Sequence, residues 1–230
     1  MDEFFSRSEA LLGAKAMETL RAKKLIIFGV GGVGSYAAEA LVRTGLTHLT
    51  IVDGDTVQPS NINRQLPATR ATMGMPKVEA LKARLLEINP DAEIEAIAEF
   101  YHEPSAFSLQ LSDFDYVIDA IDDVPAKTDL IIYATRARAK IFSSMGAALR
   151  FDPTKVTTGE LMDIKGDALA KAVRARMKKL DIHPYRKVKC VYSTEQAQRC
   201  ETRGSLIQVT AVFGLTLAGL VIEDIKKGVG

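Results

Sequence analysis

Apolar positions along the chain follow two rhythms. Short, nearly unbroken apolar runs at residues 25–28, 49–52 and 115–121 read as strands buried on both faces of a parallel sheet. Residues 141–146 and 188–193 read as further strands, and residues 93–97 alternate with period two. Elsewhere apolar residues recur every three or four positions. Val78, Leu81, Leu85, Leu86 and Ile88 define one such helix, which Asn89 and Pro90 stop. A polar-faced helix is expected over 8–22, an Ala-rich one after Gly34, one from Asp123 to about Arg138, and one over 167–180. Residues 155–161 are more polar, as an edge strand would be. Strands alternating with helices predict an α/β fold, a Rossmann-like, doubly wound, mostly parallel sheet with additional antiparallel strands in the C-terminal half.

The first strand runs into a glycine turn. Gly29, Gly31 and Gly34 stand at G-x-G-x-x-G spacing, with Gly32 beside them, so the backbone can turn tightly and approach a phosphate. The helix that follows aims its first N–H groups at that anion. The second strand ends in Asp53, placed where a nucleotide fold grips a ribose hydroxyl. The opening unit therefore binds a nucleotide. A nicotinamide-dependent oxidoreductase would explain the glycines, but not the polar loop that follows, which carries Asp55, Asn61, Asn63, Arg64 and Gln65 and leads to Lys77. Turn formation after Pro59 and Ser60 is the competing reading of the two asparagines, more so for Asn63.

The pattern D-x-D-x-V-x-x-x-N-x-x-R-Q over 53–65, with GxGGVGS before it and Gly74-Met75-Pro76-Lys77-Val78-Glu79 after it, resembles the ubiquitin-activating-like adenylating superfamily. That superfamily includes the adenylyltransferases of sulfur-carrier proteins in thiamine and molybdopterin synthesis. Phe5-Ser6-Arg7 with Leu11-Leu12-Gly13, Val117-Ile118-Asp119-Ala120-Ile121-Asp122 and Cys190-Val191-Tyr192-Ser193-Thr194-Glu195 are most similar to the tRNA threonylcarbamoyladenosine dehydratases. The resemblance implies ATP and Mg²⁺ as cofactors and a tRNA carrying N6-threonylcarbamoyladenosine as substrate. Its threonyl carboxylate would be adenylated and then closed into a ring with net loss of water. Arg64 and Lys77 would neutralise phosphates, Asn61 and Gln65 would orient them, and Asp53 and Asp55 would complete the nucleotide site. It also implies a homodimer in which Arg7, otherwise a solvated helix-end charge, reaches the partner's phosphates. An accessory sulfur-transfer protein is a further partner within its scope. The alternative function is activation of the C-terminus of a ubiquitin-like sulfur carrier, although the zinc-binding C-x-x-C pairs of many such enzymes are absent here.

Two carboxylates, Asp122 and Asp123, follow the strand at 115–121, where ligands of open α/β sheets sit. Mg²⁺ suits one or two such oxygens. Asp123, two residues before Pro125, reads as a helix cap, which leaves Asp122 for the metal.

The 230 residues suit one domain, 1–230, with a nucleotide-binding half at 1–150 and a substrate and dimer half at 151–230. A net charge of +1 makes no global claim on nucleic acid. Locally, Lys171, Arg174, Arg176, Lys178, Lys179, Arg186, Lys187 and Lys189 stand against one nearby acid, Asp181, with His183 and Tyr185 among them. That is either a solvated face or the footprint of a phosphate backbone or an acidic partner. Cys190 and Cys200 make neither a disulfide framework nor a zinc site. Cys190 alternates with Val188 and Tyr192 and reads as a small buried residue rather than a nucleophile. No basic-then-apolar leader is present, so a cytoplasmic location is expected. Residues 206–222 are apolar over ~17 positions, the lower limit for a membrane span, so a buried helix or dimer seam is favoured over membrane association.

Overall fold

The computed structural model describes residues 3–101, 109–137, 139–202 and 204–229. In chain order these form α1 (Ser6–Leu12), α2 (Ala14–Ala22), β1 (Lys24–Phe28), α3 (Gly34–Thr44), β2 (His48–Val52), α4 (Lys77–Ile88) and β3 (Glu93–Ile97). There follow β4 (Tyr116–Asp119), α5 (Val124–Arg136), β5 (Lys140–Ser144), β6 (Val156–Glu160), α6 (Ala168–Leu180), β7 (Lys189–Ser193) and α7 (Ile207–Val229). The strands make one sheet in the order β3-β2-β1-β4-β5-β7-β6. All pairs are parallel except β6 with β7. The doubly wound reading therefore holds, with its antiparallel part confined to the edge strand β6.

Side-chain alternation explains why helices cover both faces. Along β1, Leu25 and Ile27 point into a core shared with α2, α3, α4 and α7, whereas Ile26 and Phe28 point into a second core under α5 and α6. Tyr116 and Ile118 of β4 join the first core and Val117 the second. The central strands β1 and β4 thus bury both of their faces, which is why their apolar runs are continuous, whereas the edge strands β3 and β6 do not.

Local expectations needed adjustment. The helix expected over 8–22 is two helices, broken at Gly13 (φ 87°, ψ 153°), whose conformation no α-helix contains. β4 ends at Asp119 because the Ile121 N–H turns back to Asp119 Oδ1 at 3.1 Å instead of continuing the ladder. α5 ends at Arg136; Arg138 lies outside the described residues. α7 runs on to Val229, its last turns carrying a Lys227 to Glu223 ion pair of 2.7 Å at i,i+4 spacing. By length and composition α7 could cross a membrane. Here Val209, Phe213, Leu217 and Val221 line the first core, and the helix packs against α3 at Gly214. Ile207 and Leu215 remain on its outer face.

Candidate functional site: a cavity at the switch point of the sheet

The chain leaves β1 toward β2 on one side and returns to β4 on the other, so the loops after β1 and β4 diverge. Such a crevice is where ligands bind in open α/β sheets. A cavity of ≈ 670 Å³ lies there. Gly29 makes the turn at φ 84°, and a Cβ on it would sit 2.8 Å from the Ala120 carbonyl oxygen. A Cβ on Gly34 would lie 1.8 Å from the Gly29 oxygen, so the turn closes only with glycine at both positions. Gly34 itself begins α3 and does not line the cavity; Gly29, Gly31 and Gly32 do. No side chain caps α3, which leaves its N-terminal end available to an anion.

Asp53 ties the glycine turn to the polar loop. Its Oδ2 accepts from the Val30 N–H at 2.8 Å and its Oδ1 from the Asp55 N–H at 2.9 Å. Burial pushes its carboxyl up from the usual range, while Lys77 and the two backbone donors pull it back. Lys77 is 5 % exposed, and its Nζ lies 2.6 Å from Asp55 Oδ2 and 3.9 Å from Asp53 Oδ1. A buried cation held by the two carboxylates is oriented before any ligand arrives. Asn61 lines the cavity while its Oδ1 accepts from the Gln58 N–H at 3.0 Å, so it both turns the chain and faces the site. Asn63 is exposed and donates to the Ser205 carbonyl at 2.8 Å, fastening the loop to the segment before α7. Arg64 is held by the Ser60 carbonyl (2.9 Å) and Asn63 Oδ1 (2.8 Å).

Gln65 tests whether a nucleotide fits. Its side chain is 8 % exposed beside Gly31, and its Oε1 has no partner among the described residues. A ribose hydroxyl, or a phosphate oxygen with the amide turned over, would satisfy it. The far wall is aromatic: Phe28 and Tyr101 meet edge to face at 5.1 Å, and Phe100 lies against Gly54. That wall suits a purine. The aromatic pair after β3 was passed over in the sequence, where only its place at a strand end could have flagged it.

Asp122 lines the cavity at the end of β4. Asp123 caps α5, accepting from the Ala126 N–H at 2.9 Å, so the cap assignment holds. Among the described residues no cluster of three or more metal-binding side chains occurs. Asp122 thus offers a single hard oxygen ligand, which fits Mg²⁺ only when phosphates and water supply the rest. Asp122→Asn is expected to raise the Mg²⁺ concentration for half-maximal turnover more than Asp123→Asn, which should act mainly on stability. A metal titration with the opposite order would exchange their roles.

Behind this wall lies a charged cluster with no counterpart in the sequence reading. Lys127 and Asp119 are both fully buried at 2.6 Å, and Lys127 also donates to the Ser144 carbonyl (2.9 Å) and approaches Ser143 Oγ at 3.3 Å. Ser143 Oγ donates in turn to Asp119 Oδ2 at 2.6 Å. The cluster locks the ends of β4 and β5 together, and both ends continue into the cavity lining. A second buried pair, Arg150 and Asp167 at 3.0 Å, fixes the loop at Gly146, whose N–H also meets Asp167. Leu169, Ser205 and Thr210 complete the cavity from the C-terminal segment. Arg7 is exposed on α1 and lies outside the cavity lining.

Cys190 is 0 % exposed, and burial pushes its thiol far up, in spite of Lys127 nearby. Cys190→Ala is therefore expected to keep most activity, with any loss tracking a lowered melting temperature. A folded, nucleotide-binding variant without activity, together with a covalent adduct trapped on wild-type Cys190, would overturn that.

The cavity defines the chain as a nucleotide-binding protein of the doubly wound α/β class. Within that class it belongs to the ThiF family, whose model matches residues 5–227. It is 40% identical to a tRNA threonylcarbamoyladenosine dehydratase of Bacillus subtilis, over 98% of this chain and 95% of that protein. The crystal structure of the Escherichia coli tRNA N6-threonylcarbamoyladenosine dehydratase in complex with ATP superposes with a TM-score of 0.90 at 32% identity, covering 98% of this chain and 95% of that one. The same enzyme in complex with AMP matches equally, again at 0.90.

Proposed function

We propose that this protein is an ATP-dependent tRNA threonylcarbamoyladenosine dehydratase, which adenylates the threonyl carboxylate of N6-threonylcarbamoyladenosine in tRNA and cyclises it. The observation that carries this reading is Lys77, held by Asp53 and Asp55 in the lining of a glycine-turn cavity that also holds Arg64. A plain dinucleotide fold has no use for that arrangement, and the relatives similar over nearly the whole chain carry the dehydratase name.

In this reading Lys77 and Arg64 balance charge on the triphosphate, Gln65 and Asn61 orient it, and Asp53 and Asp55 set the lysine and face the ribose. Asp122 would hold Mg²⁺, which would supply positive charge to lower the repulsion a nucleophile meets at the phosphates. The substrate carboxylate oxygen bonds to the α-phosphorus as pyrophosphate leaves. A nucleophile within the same side chain then bonds to the acyl carbon as AMP leaves, so the ring forms with net loss of water. The attack is intramolecular and needs no enzyme nucleophile, in keeping with the buried Cys190. In the same proposal residues 1–150 carry most of the nucleotide contacts, and 151–230 add Leu169, Ser205 and Thr210 to the cavity and supply the substrate contacts, within one domain.

Incubation with Mg-ATP and tRNA bearing the modification, followed by nucleoside mass spectrometry, tests the proposal: a product lighter by one water, with AMP and pyrophosphate, is expected. Adenylation of a Gly-Gly-terminated carrier protein instead, with the tRNA unchanged, would replace it.

The chain is further proposed to work as a homodimer, with Arg7 acting on the partner's triphosphate and the outer face of α7 as a candidate seam. Mixing Arg7→Ala with Lys77→Ala subunits should then restore one intact site per heterodimer, up to about half of wild-type activity per mixed dimer. No recovery after demonstrated subunit exchange would refute the trans role.

A further inference from the structure

We infer that the exposed face of α6 and the loop after it form a track for the phosphate backbone of an RNA stem, leading from the mouth of the nucleotide cavity to the opposite edge of the sheet. This rests on the proposal that the substrate is a tRNA, and says where the body of that tRNA lies.

The first observation is how α6 divides its charges. Ala170, Val173 and Met177 are buried against the second core, and Lys171 and Lys178 stand on the opposite side, exposed, with Lys179 beside them. Two cations of the stretch have structural work: Arg174 donates to the Leu161 carbonyl at 2.8 Å, and Arg176 pairs with Asp129 at 3.4 Å. Lys171, Lys178 and Lys179 have no ion pair among the described residues.

The second observation is where the helix begins and where the chain goes afterwards. At its start, the Asp167 cap meets the Gly146 N–H and Leu169 lines the nucleotide cavity. At its end Asp181, at φ 53°, reverses the chain into the loop of His183, Pro184 and Tyr185. Arg186, Lys187 and Lys189 then line a separate cavity of ≈ 380 Å³, shared with Glu160, where Lys140 and Lys227 are already paired with Asp224 and Glu223. β5 fixes the relation of the two: Ser144 at its C-terminal end is in the first cavity and Lys140 at its N-terminal end is in the second. The thirteen residues of α6 cover about 20 Å at ~1.5 Å per residue, and a duplex rises about 3 Å per step, so the track spans roughly six steps.

The third observation favours RNA over an acidic protein. Tyr185 is 64 % exposed and His183 is exposed beside it, giving flat groups for an unpaired base among the cations. The charge is laid out in a line rather than as a compact patch, in a chain whose net charge is only +1.

The test is the triple variant Lys171→Ala/Lys178→Ala/Lys187→Ala in the full chain, with tRNA binding followed across a salt series. The dissociation constant should rise about tenfold or more at ~0.1 M salt, and the slope of log K against log salt should flatten by about 2.7, as expected for three lost phosphate contacts to a duplex. The melting temperature should stay at the wild-type value, because all three side chains are exposed. Wild-type affinity and slope in the variant would overturn the track. So would a wild-type protein that binds no tRNA, or a variant that loses an acidic carrier protein but keeps tRNA. A wild-type protein that binds tRNA with this salt dependence yet releases no dehydrated nucleoside would leave the track standing and remove the dehydratase reading.

Discussion

Arg64→Ala is expected to lower turnover by about 10²–10³-fold, and Lys77→Ala by at least as much, with the fold intact in both. Each removes a cation from the cavity lining, Lys77 buried and Arg64 half-buried, and the loss is largest when charge builds on the leaving pyrophosphate. Arg64 is the cleaner of the two, since its neighbours are a carbonyl and the Asn63 amide oxygen, which can turn to water. Lys77 also balances Asp53 and Asp55, and its removal leaves Asp53 buried beside a second carboxylate, which will raise the Asp53 carboxyl further. ATP-dependent pyrophosphate release, measured with circular dichroism on the same samples, checks both. Near-normal rates in the two variants would remove the triphosphate from this site.

The largest expected effect on stability is at Lys127. Lys127→Ala strips a fully buried Asp119 of its cation at 2.6 Å and leaves the Ser144 carbonyl without that donor. Breaking one side of a buried pair costs about 3–5 kcal/mol, roughly a fifth or more of what holds a typical domain together. Replacing both partners with apolar residues of similar volume, Asp119→Leu with Lys127→Met, should recover much of that, because no unpaired charge remains. Denaturant unfolding of Asp119→Leu, Lys127→Met and the double variant closes the cycle, with Lys127→Ala measured beside them. A single variant within ~1 kcal/mol of wild type would show that the cluster is not the lock it resembles. The recovered double variant should still turn over poorly: Asp119 Oδ1 also holds the Ile121 N–H, and through it the backbone that carries Asp122.

The order of strands, by contrast, has no sequence signature. Residues 188–193 read as a strand, and nothing in their alternation says that β7 inserts between β5 and β6, parallel to one and antiparallel to the other. The pairing depends on where α6 returns the chain. In the same way Gly13 lies within the stretch expected to be one helix, and only its backbone conformation, φ 87° and ψ 153°, shows the break.

By itself the sequence determined the features written in contiguous residues: the glycine turn, the strand before it, Asp53, the loop with Asn61, Arg64 and Gln65, and the Asp123 cap. Each follows from local backbone geometry or from a side chain reaching only a few residues along, so spacing suffices to specify it. Tertiary structure alone decided what converges from a distance. Lys127 meets Ser143, Arg150 meets Asp167, and Ser205 and Thr210 close over a turn made near residue 30. Those contacts exist because β1, β4 and β5 end together on one edge of a sheet whose order is set by the packing of helices on its two faces. Burial on those faces, which no window of sequence contains, is what makes a lysine and an aspartate eight residues apart a buried lock rather than two surface charges.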